Sequence, residues 1–146
     1  NGDIMTLEEL QNLADKDLKI NDTELDLESL KTPQLHNKYS KYYNKYKNLL
    51  KVAEQDLARI TREKWEYYTG KADPAVYQEK PFNLKVLRQD VDKYIKSDPE
   101  VNKLEQKVTY IETTVDYLEK TLKIISNRTF TIKNAIDWRK FTSGVI

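Results

Sequence analysis

Apolar residues in the second half of the chain recur at alternating steps of three and four positions. This spacing averages 3.5 residues per turn and is typical of a helix that packs along one side against other helices. The pattern predicts one helix of at least about 54 Å, continuous to about Phe141, whose apolar seam is covered by the rest of the chain or by other copies. The seam positions are Val101, Leu104, Val108, Ile111, Val115, Leu118, Leu122, Ile125, Thr129, Ile132 and Ile136.

A second apolar stripe of helical period precedes this seam. It begins after Thr32-Pro33, where proline favours the first turn of a helix, and it ends near Tyr68, before Gly70 and a turn over residues 71–74. Two helices of similar length joined through a turn predict an all-α fold, a long antiparallel helical hairpin or coiled coil with a short N-terminal helix. The stripe contains Leu35, Tyr39, Tyr42, Tyr46, Leu49, Ala53, Leu57 and Ile60.

Shorter helices are predicted on both sides of the first long helix. Thr6 and Glu9 have the spacing of a capping box, which predicts a helix from Leu7 to about Lys16. Thr23 is a candidate cap for another short helix. In the connection, residues 75–82 are expected to supply the apolar anchors Tyr77, Pro81 and Phe82, and a helix capped at residue 83 is expected to continue to residue 94.

The distribution of charge divides the chain more clearly than its net charge of +1 does. Residues 1–30 contain nine acidic residues and two lysines, whereas residues 31–71 contain ten basic and four acidic residues. We therefore predict an acidic arm over residues 1–30, mobile or docked on another surface, and a helical hairpin domain over residues 31–146. The sequence at Met5 is typical of a natural start, so residues 1–4 are expected to be additions.

The sequence lacks the patterns of an enzyme or of a metal site. Cysteine is absent, and His36 is the only histidine. The three glycines are far apart, and no hydrolase, metalloprotease or P-loop motif occurs. The longest apolar run is only a few residues, too short for a transmembrane helix. We predict a protein without catalytic activity, cofactor or metal.

Basic and aromatic side chains are interleaved in residues 38–71. Lys38, Lys41 and Lys45 share one helix face, because they follow each other at steps of three and four. Basic side chains bind phosphates regardless of sequence, and aromatic rings stack on the bases of a single strand. The candidate residues for binding a single-stranded nucleic acid are Lys38, Lys41, Lys45, Arg59, Arg62, Lys64, Trp65, Tyr68 and Lys71.

The same pattern is compatible with a second class of protein. Tyr39, Tyr42 and Tyr46 also fit a buried stripe, and the lysines beside them are then an ordinary solvated face. A coiled-coil structural or adaptor protein without nucleic-acid binding is therefore the alternative.

Two segments resemble the UvsY-type recombination mediators of T-even-like bacteriophages. Residues 62–71 are similar to a family segment with two basic residues one apart, an aromatic pair, a small hydroxyl residue, a glycine and a basic residue. Residues 126–141 are similar to the C-terminal end of the family, and the start at Met5 is similar to its N-terminus. The similarity is weaker between the two segments, where the connection over residues 72–100 is longer here. Glu63 stands where the family has a small apolar residue.

The resemblance implies a role in phage recombination, repair and replication in the host cytoplasm. Members bind single-stranded DNA and help load a RecA-like recombinase of the UvsX type onto strands covered by the phage single-strand-binding protein, without catalysis and without a membrane. By position, Arg62 and Lys64 match the DNA-binding basic pair of the family. The resemblance also implies a homo-oligomeric ring of six or seven chains, formed through the C-terminal region.

Residues 125–146 are the expected self-association segment. If the hairpin pairs from Gly70 and Pro99, this segment extends past the first long helix and lacks an intrachain partner. The alternative for Phe130 and Trp138 is an intrachain core. The candidate interface residues are Ile125, Phe130, Ile132, Ile136, Trp138 and Phe141.

Two roles are open for the acidic arm. It docks onto a protein partner, or it covers the basic face of its own assembly until DNA displaces it. Both hypotheses rest on the opposite charges of residues 1–30 and 31–71.

Overall fold

The computed structural model describes residues 4–144, which form helices joined by turns and short irregular segments. The described residues contain no strand, and the prediction of an all-α fold is confirmed. None of the helices in this range combines the length and apolarity that crossing a bilayer demands. In chain order, the helices are α1 (Leu7–Asp17), α2 (Leu25–Leu30), α3 (Thr32–Tyr68), α4 (Pro74–Glu79), a 3-10 helix (Arg88–Asp90), α5 (Val91–Lys96) and α6 (Pro99–Thr142).

The two long helices begin and end close to their predicted positions. α6 runs without interruption past Ser126 to Thr142. α3 ends at Tyr68, and Gly70 follows with a φ of 76°, a conformation that glycine adopts without strain. The capping box of α1 is formed, since the Thr6 hydroxyl accepts from the Glu9 amide at 3.1 Å and the Glu9 carboxylate accepts from the Thr6 amide at 3.0 Å.

The connection between α3 and α6 differs from the prediction. Residues 74–79, for which no helix was predicted, form α4, whose first turn is capped by the Asp73 carboxylate at 3.1 Å from the Ala75 amide. The helix expected from residue 83 begins only at Val91. Leu84 and Leu87 are 65% and 60% exposed, so a longer helix would have no core to cover them.

The start of α2 also differs from the prediction. The residue before α2 is Glu24, and its side chain makes no capping hydrogen bond. Thr23 forms hydrogen bonds with Asn21 instead, since its amide and its hydroxyl both donate to the Asn21 side-chain oxygen. A local turn therefore takes the side chain that was expected to cap the helix.

The chain divides into two compact units, and each contains part of α3 and part of α6. The arm unit contains α1, α2, the first part of α3 up to Tyr46, and α6 from Thr114. The connection unit is Lys47–Thr113, with the rest of α3, α4, α5 and the start of α6. Residues 1–3 and 145–146, which belong to the expected N-terminal additions and to the expected self-association segment, lie outside the described residues.

In the arm unit, the acidic arm is docked on α3. Leu10 and Ala14 of α1 are fully buried. The Asp17 carboxylate accepts from the Lys38 ammonium at 2.7 Å and from the Tyr39 hydroxyl at 2.9 Å. Burial and then Asp17 raise the pKa of Tyr39 well above its usual range, which keeps the phenol protonated as a donor.

A buried ion pair joins α2 to α6 in the arm unit. Arg128 and Glu28 are each only 3% exposed, and the Arg128 guanidinium lies 3.3 Å from the Glu28 carboxylate. The guanidinium also donates to the Thr32 hydroxyl at 3.0 Å and to the Glu28 carbonyl. Thr129, which the apolar seam predicted to be buried, is exposed. The seam is wrong by one position here, as it already is at Thr121, which is buried beside the half-buried Leu122, and the Glu28 carboxylate gives the buried Arg128 a charged partner.

The connection unit has its own core around α5. Val91, Ile95 and Val101 are buried there, and residues of α3, among them Leu57 and Ile60, pack against them. The start of α6 thus lies beside the end of α3, as an antiparallel pair requires. In the arm unit the start of α3 likewise lies beside a later part of α6, since Thr32 contacts Arg128.

Candidate functional site

A surface cleft of about 570 Å³ lies where the end of α3, α4 and the start of α6 meet in the connection unit. We call it the lysine cleft. Both basic and acidic side chains line the cleft. A basic side chain that is already paired with a carboxylate is less available to an anionic ligand than an unpaired one. The charged residues around it are Arg62, Lys64, Lys71, Lys80, Glu63, Glu66, Asp73, Glu79 and Glu100.

Lys64 lies on the packed face of α3 and not on its outer face. It follows Ile60 by four positions, and its side chain is only 13% exposed. Its ammonium lies 3.0 Å from a Glu100 carboxylate oxygen and 3.3 Å from an Asp98 carboxylate oxygen. In the folded chain, two carboxylates therefore neutralise Lys64.

Arg62 occupies a different face of the same helix. Two positions along an α-helix correspond to a rotation of about 200°, so Arg62 and Lys64 do not point in the same direction. Arg62 is exposed and takes part in none of the ion pairs found among residues 4–144. The two residues matched to the basic pair of the family are thus in different electrostatic states.

Trp65 and Lys71 form the exposed aromatic and cationic pair of this region. The Lys71 ammonium lies 4.6 Å from the centre of the Trp65 ring, and Trp65 is 42% exposed. An exposed indole face next to a lysine offers both a stacking surface for a base and a charge for a phosphate. Arg59 is also exposed, but its guanidinium is paired with Asp56 at 2.7 Å.

Tyr68 serves the packing of the connection unit. Its hydroxyl donates to the Asp98 carboxylate at 2.6 Å, and its ring packs against Phe82 and Tyr94. Burial raises the pKa of Asp98, but the hydrogen bonds from the Tyr68 hydroxyl and from the amides at the start of α6, together with Lys64, outweigh burial and hold that pKa below its usual range. Asp98 therefore stays ionised as the cap of α6 and the anchor of Lys64.

The three predicted lysines of the arm unit differ in their surroundings. Lys38 is half-buried and paired with Asp17. Lys45 is half-buried, and Lys41 is exposed. Because α1 supplies the partner of Lys38, the acidic arm already covers part of this basic face.

Two residues of the lysine cleft are absent from the sequence-based candidates. The Lys80 ammonium, just after α4, lies 2.8 Å from the same Glu100 oxygen that binds Lys64. The Tyr67 hydroxyl donates to the Lys80 carbonyl at 3.0 Å, and the Tyr67 ring stacks on Tyr77 with centroids 5.4 Å apart. No sequence spacing signals this pairing, because it depends on the short helix α4 that the sequence did not predict.

The candidate self-association residues fall into two groups. Ile125 and Ile132 are 0% and 2% exposed and belong to the core of the arm unit. Ile136 is half-buried. Phe130, Trp138 and Phe141 are between 65% and 68% exposed, and the rings of Trp138 and Phe141 stack with centroids 5.8 Å apart. The exposed group, which we call the aromatic face of α6, is not part of an intrachain core.

The chain is similar in sequence and structure to a phage recombination protein. It is 27% identical over 144 residues to "Recombination protein uvsY" of Enterobacteria phage T4, an alignment that covers 96% of this chain and 99% of the relative. Crystal structures of the bacteriophage T4 recombination mediator protein UvsY match with TM-scores of 0.83 and 0.84, at 25% and 24% identity, and cover 94% and 96% of this chain and 99% of each relative. The structural matches support the same helical fold.

A family model accounts for most of the sequence. The model described as "Recombination, repair and ssDNA binding protein UvsY" matches residues 13–145. The description agrees with the prediction of a DNA-binding protein that is not an enzyme, and it includes the nucleic-acid binding that the adaptor alternative lacks. The resemblance inferred from residues 62–71 and 126–141 is therefore confirmed. The chain belongs to the UvsY family of recombination, repair and single-stranded-DNA-binding proteins.

Proposed function

We propose that this chain binds single-stranded DNA through the exposed end of α3 and acts as a recombination mediator in the cytoplasm of the phage host. The observation that carries the site is the exposed Trp65 ring next to the Lys71 ammonium, with Arg62 unpaired one turn earlier. An exposed aromatic ring beside two exposed cations suits a strand whose bases are unpaired and whose phosphates are accessible.

Self-association supplies the affinity that one such site lacks. A single chain offers few phosphate contacts, and each of them is weakened by salt. A closed assembly of six or seven chains repeats the site, and binding at several copies multiplies the affinity without new kinds of contact. The aromatic face of α6 is the surface that we assign to this assembly, because its large apolar side chains are exposed in the single chain.

Loading of a recombinase is the biological role that we assign to an assembly that holds a DNA strand on a repeated basic surface. A mediator that binds DNA already covered by the phage single-strand-binding protein can offer the strand to a RecA-like recombinase of the UvsX type. We assign this loading step to the assembly rather than to the single chain.

Replacing Arg62 and Lys71 together by Ala is expected to weaken binding of a single-stranded oligonucleotide by about tenfold or more at low salt. Because two phosphate contacts are removed, the slope of log affinity against log salt falls by about 1.4 for each bound chain. A fluorescence anisotropy titration at several salt concentrations measures both quantities. Lys103→Ala with Lys107→Ala is the matched control, since it removes the same charge from exposed positions on α6.

The two double variants separate a site from a general charge effect. If the Lys103 and Lys107 variant loses as much affinity as the Arg62 and Lys71 variant, binding follows net charge and the proposed site is wrong. Molar mass from light scattering on the same samples ensures that both variants are compared in the same assembly state.

Asp17→Asn is expected to tighten binding of single-stranded DNA, because it removes the carboxylate that neutralises Lys38. The substituted side chain keeps an oxygen for the Tyr39 hydroxyl, so the docked arm is disturbed little. Asp15→Asn is the control on an exposed position of α1. Equal affinities for the two variants would contradict self-masking by the arm and favour its role in docking a protein partner.

A further inference from the structure

Two lysines from different elements converge on a single carboxylate oxygen in the lysine cleft. The Lys64 ammonium, from α3, lies 3.0 Å from Glu100 Oε1, and the Lys80 ammonium, from the end of α4, lies 2.8 Å from the same oxygen. The Lys80 side chain is 65% exposed and that of Glu100 is 47% exposed. The shared oxygen is therefore held between two cations at the rim of an open cleft.

The second anion near Lys64 has a structural task of its own. Asp98 is 3% exposed, accepts from the Tyr68 hydroxyl, and caps α6 by accepting from the amides of Glu100 and Val101 at 2.9 and 3.2 Å. Its carboxylate is thus fixed in place. The Glu100 carboxylate, by contrast, is bound among residues 4–144 by the two lysine side chains.

The arrangement of the two lysines matches what a phosphodiester needs. A lysine ammonium binds a phosphate oxygen as a point charge, with hydrogen bonds of the length seen here to a carboxylate. Lys80 and Lys64 together hold the pKa of Glu100 below its usual range, so the carboxylate is ionised at neutral pH and competes with other anions. The Lys80–Glu100 pair is exposed, and exposed ion pairs contribute little to stability, while Lys64 keeps Asp98 at 3.3 Å when Glu100 leaves, so exchanging one anion for another changes the fold little.

We propose that Lys64 and Lys80 form a phosphate-binding site which Glu100 occupies in the free protein, and that a phosphodiester of single-stranded DNA displaces the Glu100 carboxylate. The inference rests on the proposed function and deepens it. It gives Lys64 a part in DNA binding although it is neutralised in the free chain, and it adds Lys80 as a contact. Glu100 then acts as an internal competitor that only a polyanion, bound at several copies, displaces effectively.

Glu100→Gln tests the proposal directly. The variant keeps the size of the side chain and removes its charge, so affinity for a single-stranded oligonucleotide is expected to rise about two- to fivefold at low salt. Since both lysines then bind phosphate freely, the salt slope is expected to steepen by about 0.7 to 1.4 for each bound chain. Glu112→Gln is the matched control, because it makes the same charge change at an exposed position on α6 about 18 Å away along the helix.

Lys80→Ala supplies a second test at a residue whose side chain is mostly exposed. On its own it is expected to weaken binding, and when combined with Glu100→Gln it is expected to remove most of the gain of that variant. Such non-additivity indicates that the two side chains act on one phosphate. Thermal unfolding monitored by circular dichroism ensures that each variant is compared in its folded state.

The outcomes distinguish this inference from the proposed function. If Glu100→Gln binds no more tightly than Glu112→Gln, or if the effects of Lys80→Ala and Glu100→Gln simply add, the inference is wrong. In that case the proposed function still stands, provided that the Arg62 and Lys71 variant loses affinity. If the folded, assembled protein and all its variants fail to bind the oligonucleotide, the proposed function itself is wrong.

Discussion

Replacing Trp138 and Phe141 together by Glu is expected to separate the assembly into single chains and to lower the affinity for single-stranded DNA by about two orders of magnitude or more. Both rings are about two-thirds exposed and stack on each other, so their replacement leaves the intrachain core unchanged. Buried charges without partners are strongly unfavourable, so the substituted face no longer associates. Light scattering gives the molar mass, and anisotropy gives the affinity on the same sample.

The loss of affinity in this variant is expected to come from lost multivalency alone. The proposed contacts Arg62, Trp65 and Lys71 belong to the connection unit, whereas Trp138 and Phe141 belong to the arm unit. Val52→Glu is the control, because Val52 is an exposed apolar residue of α3 outside the aromatic face. A double variant that keeps the full molar mass would contradict the assignment of the aromatic face to self-association.

Arg128→Ala is expected to lower the free energy of unfolding by about 3 kcal/mol, the lower end of the cost of breaking a buried ion pair. The substitution leaves the Glu28 carboxylate, which is 3% exposed, without its buried partner and removes the bonds from α6 to the Glu28 carbonyl and to Thr32. Lys31 and the Asn21 amide still contact Glu28, so the carboxylate is not left entirely unpaired. Urea unfolding at a fixed protein concentration measures the change, since assembly also contributes to stability.

The matched control for this prediction is Lys120→Ala. Lys120 pairs with Asp116 at 3.0 Å on the same helix, but both side chains are more than 60% exposed. Such a pair contributes about 1 kcal/mol or less. If Arg128→Ala costs no more than the control, the ion pair between α2 and α6 does not hold the arm unit together.

The long helices were predictable because their determinants are local. The seam of α6 and the stripe of α3 repeat every three to four residues, and Pro33, Gly70 and Pro99 mark the boundaries. Each of these signals involves residues that are close together in the sequence, so it can be recognised without knowledge of the tertiary structure. The capping box at Thr6 was predictable for the same reason.

The sequence was misleading where a distant partner decides burial. A pattern of apolar residues selects Thr129, but Arg128 is buried because Glu28, one hundred residues away, neutralises it. The start of α5 similarly depends on Val91 and Ile95 finding Val101 in the core of the connection unit. Local capping signals at residue 83 do not contain that information.

The sequence predicted which types of side chain line the candidate site, but not which of its lysines form ion pairs. The sequence alone shows that residues 62–71 are rich in cations and aromatics, and the resemblance to the UvsY family was confirmed. The step of four from Ile60 to Lys64 already places Lys64 on the packed stripe of α3, which was a signal of its burial. Its pairing with Asp98 and Glu100, and the approach of Lys80, arise only from the folded connection.

We expect an assembly of this chain to bind single-stranded DNA through repeated basic sites. The most direct measurement is a salt titration of a labelled single-stranded oligonucleotide, with molar mass read by light scattering on the same sample. The expected result is a particle of several chains whose affinity for the strand falls steeply as salt rises. A well-folded assembly that fails to bind the strand at low salt would contradict it.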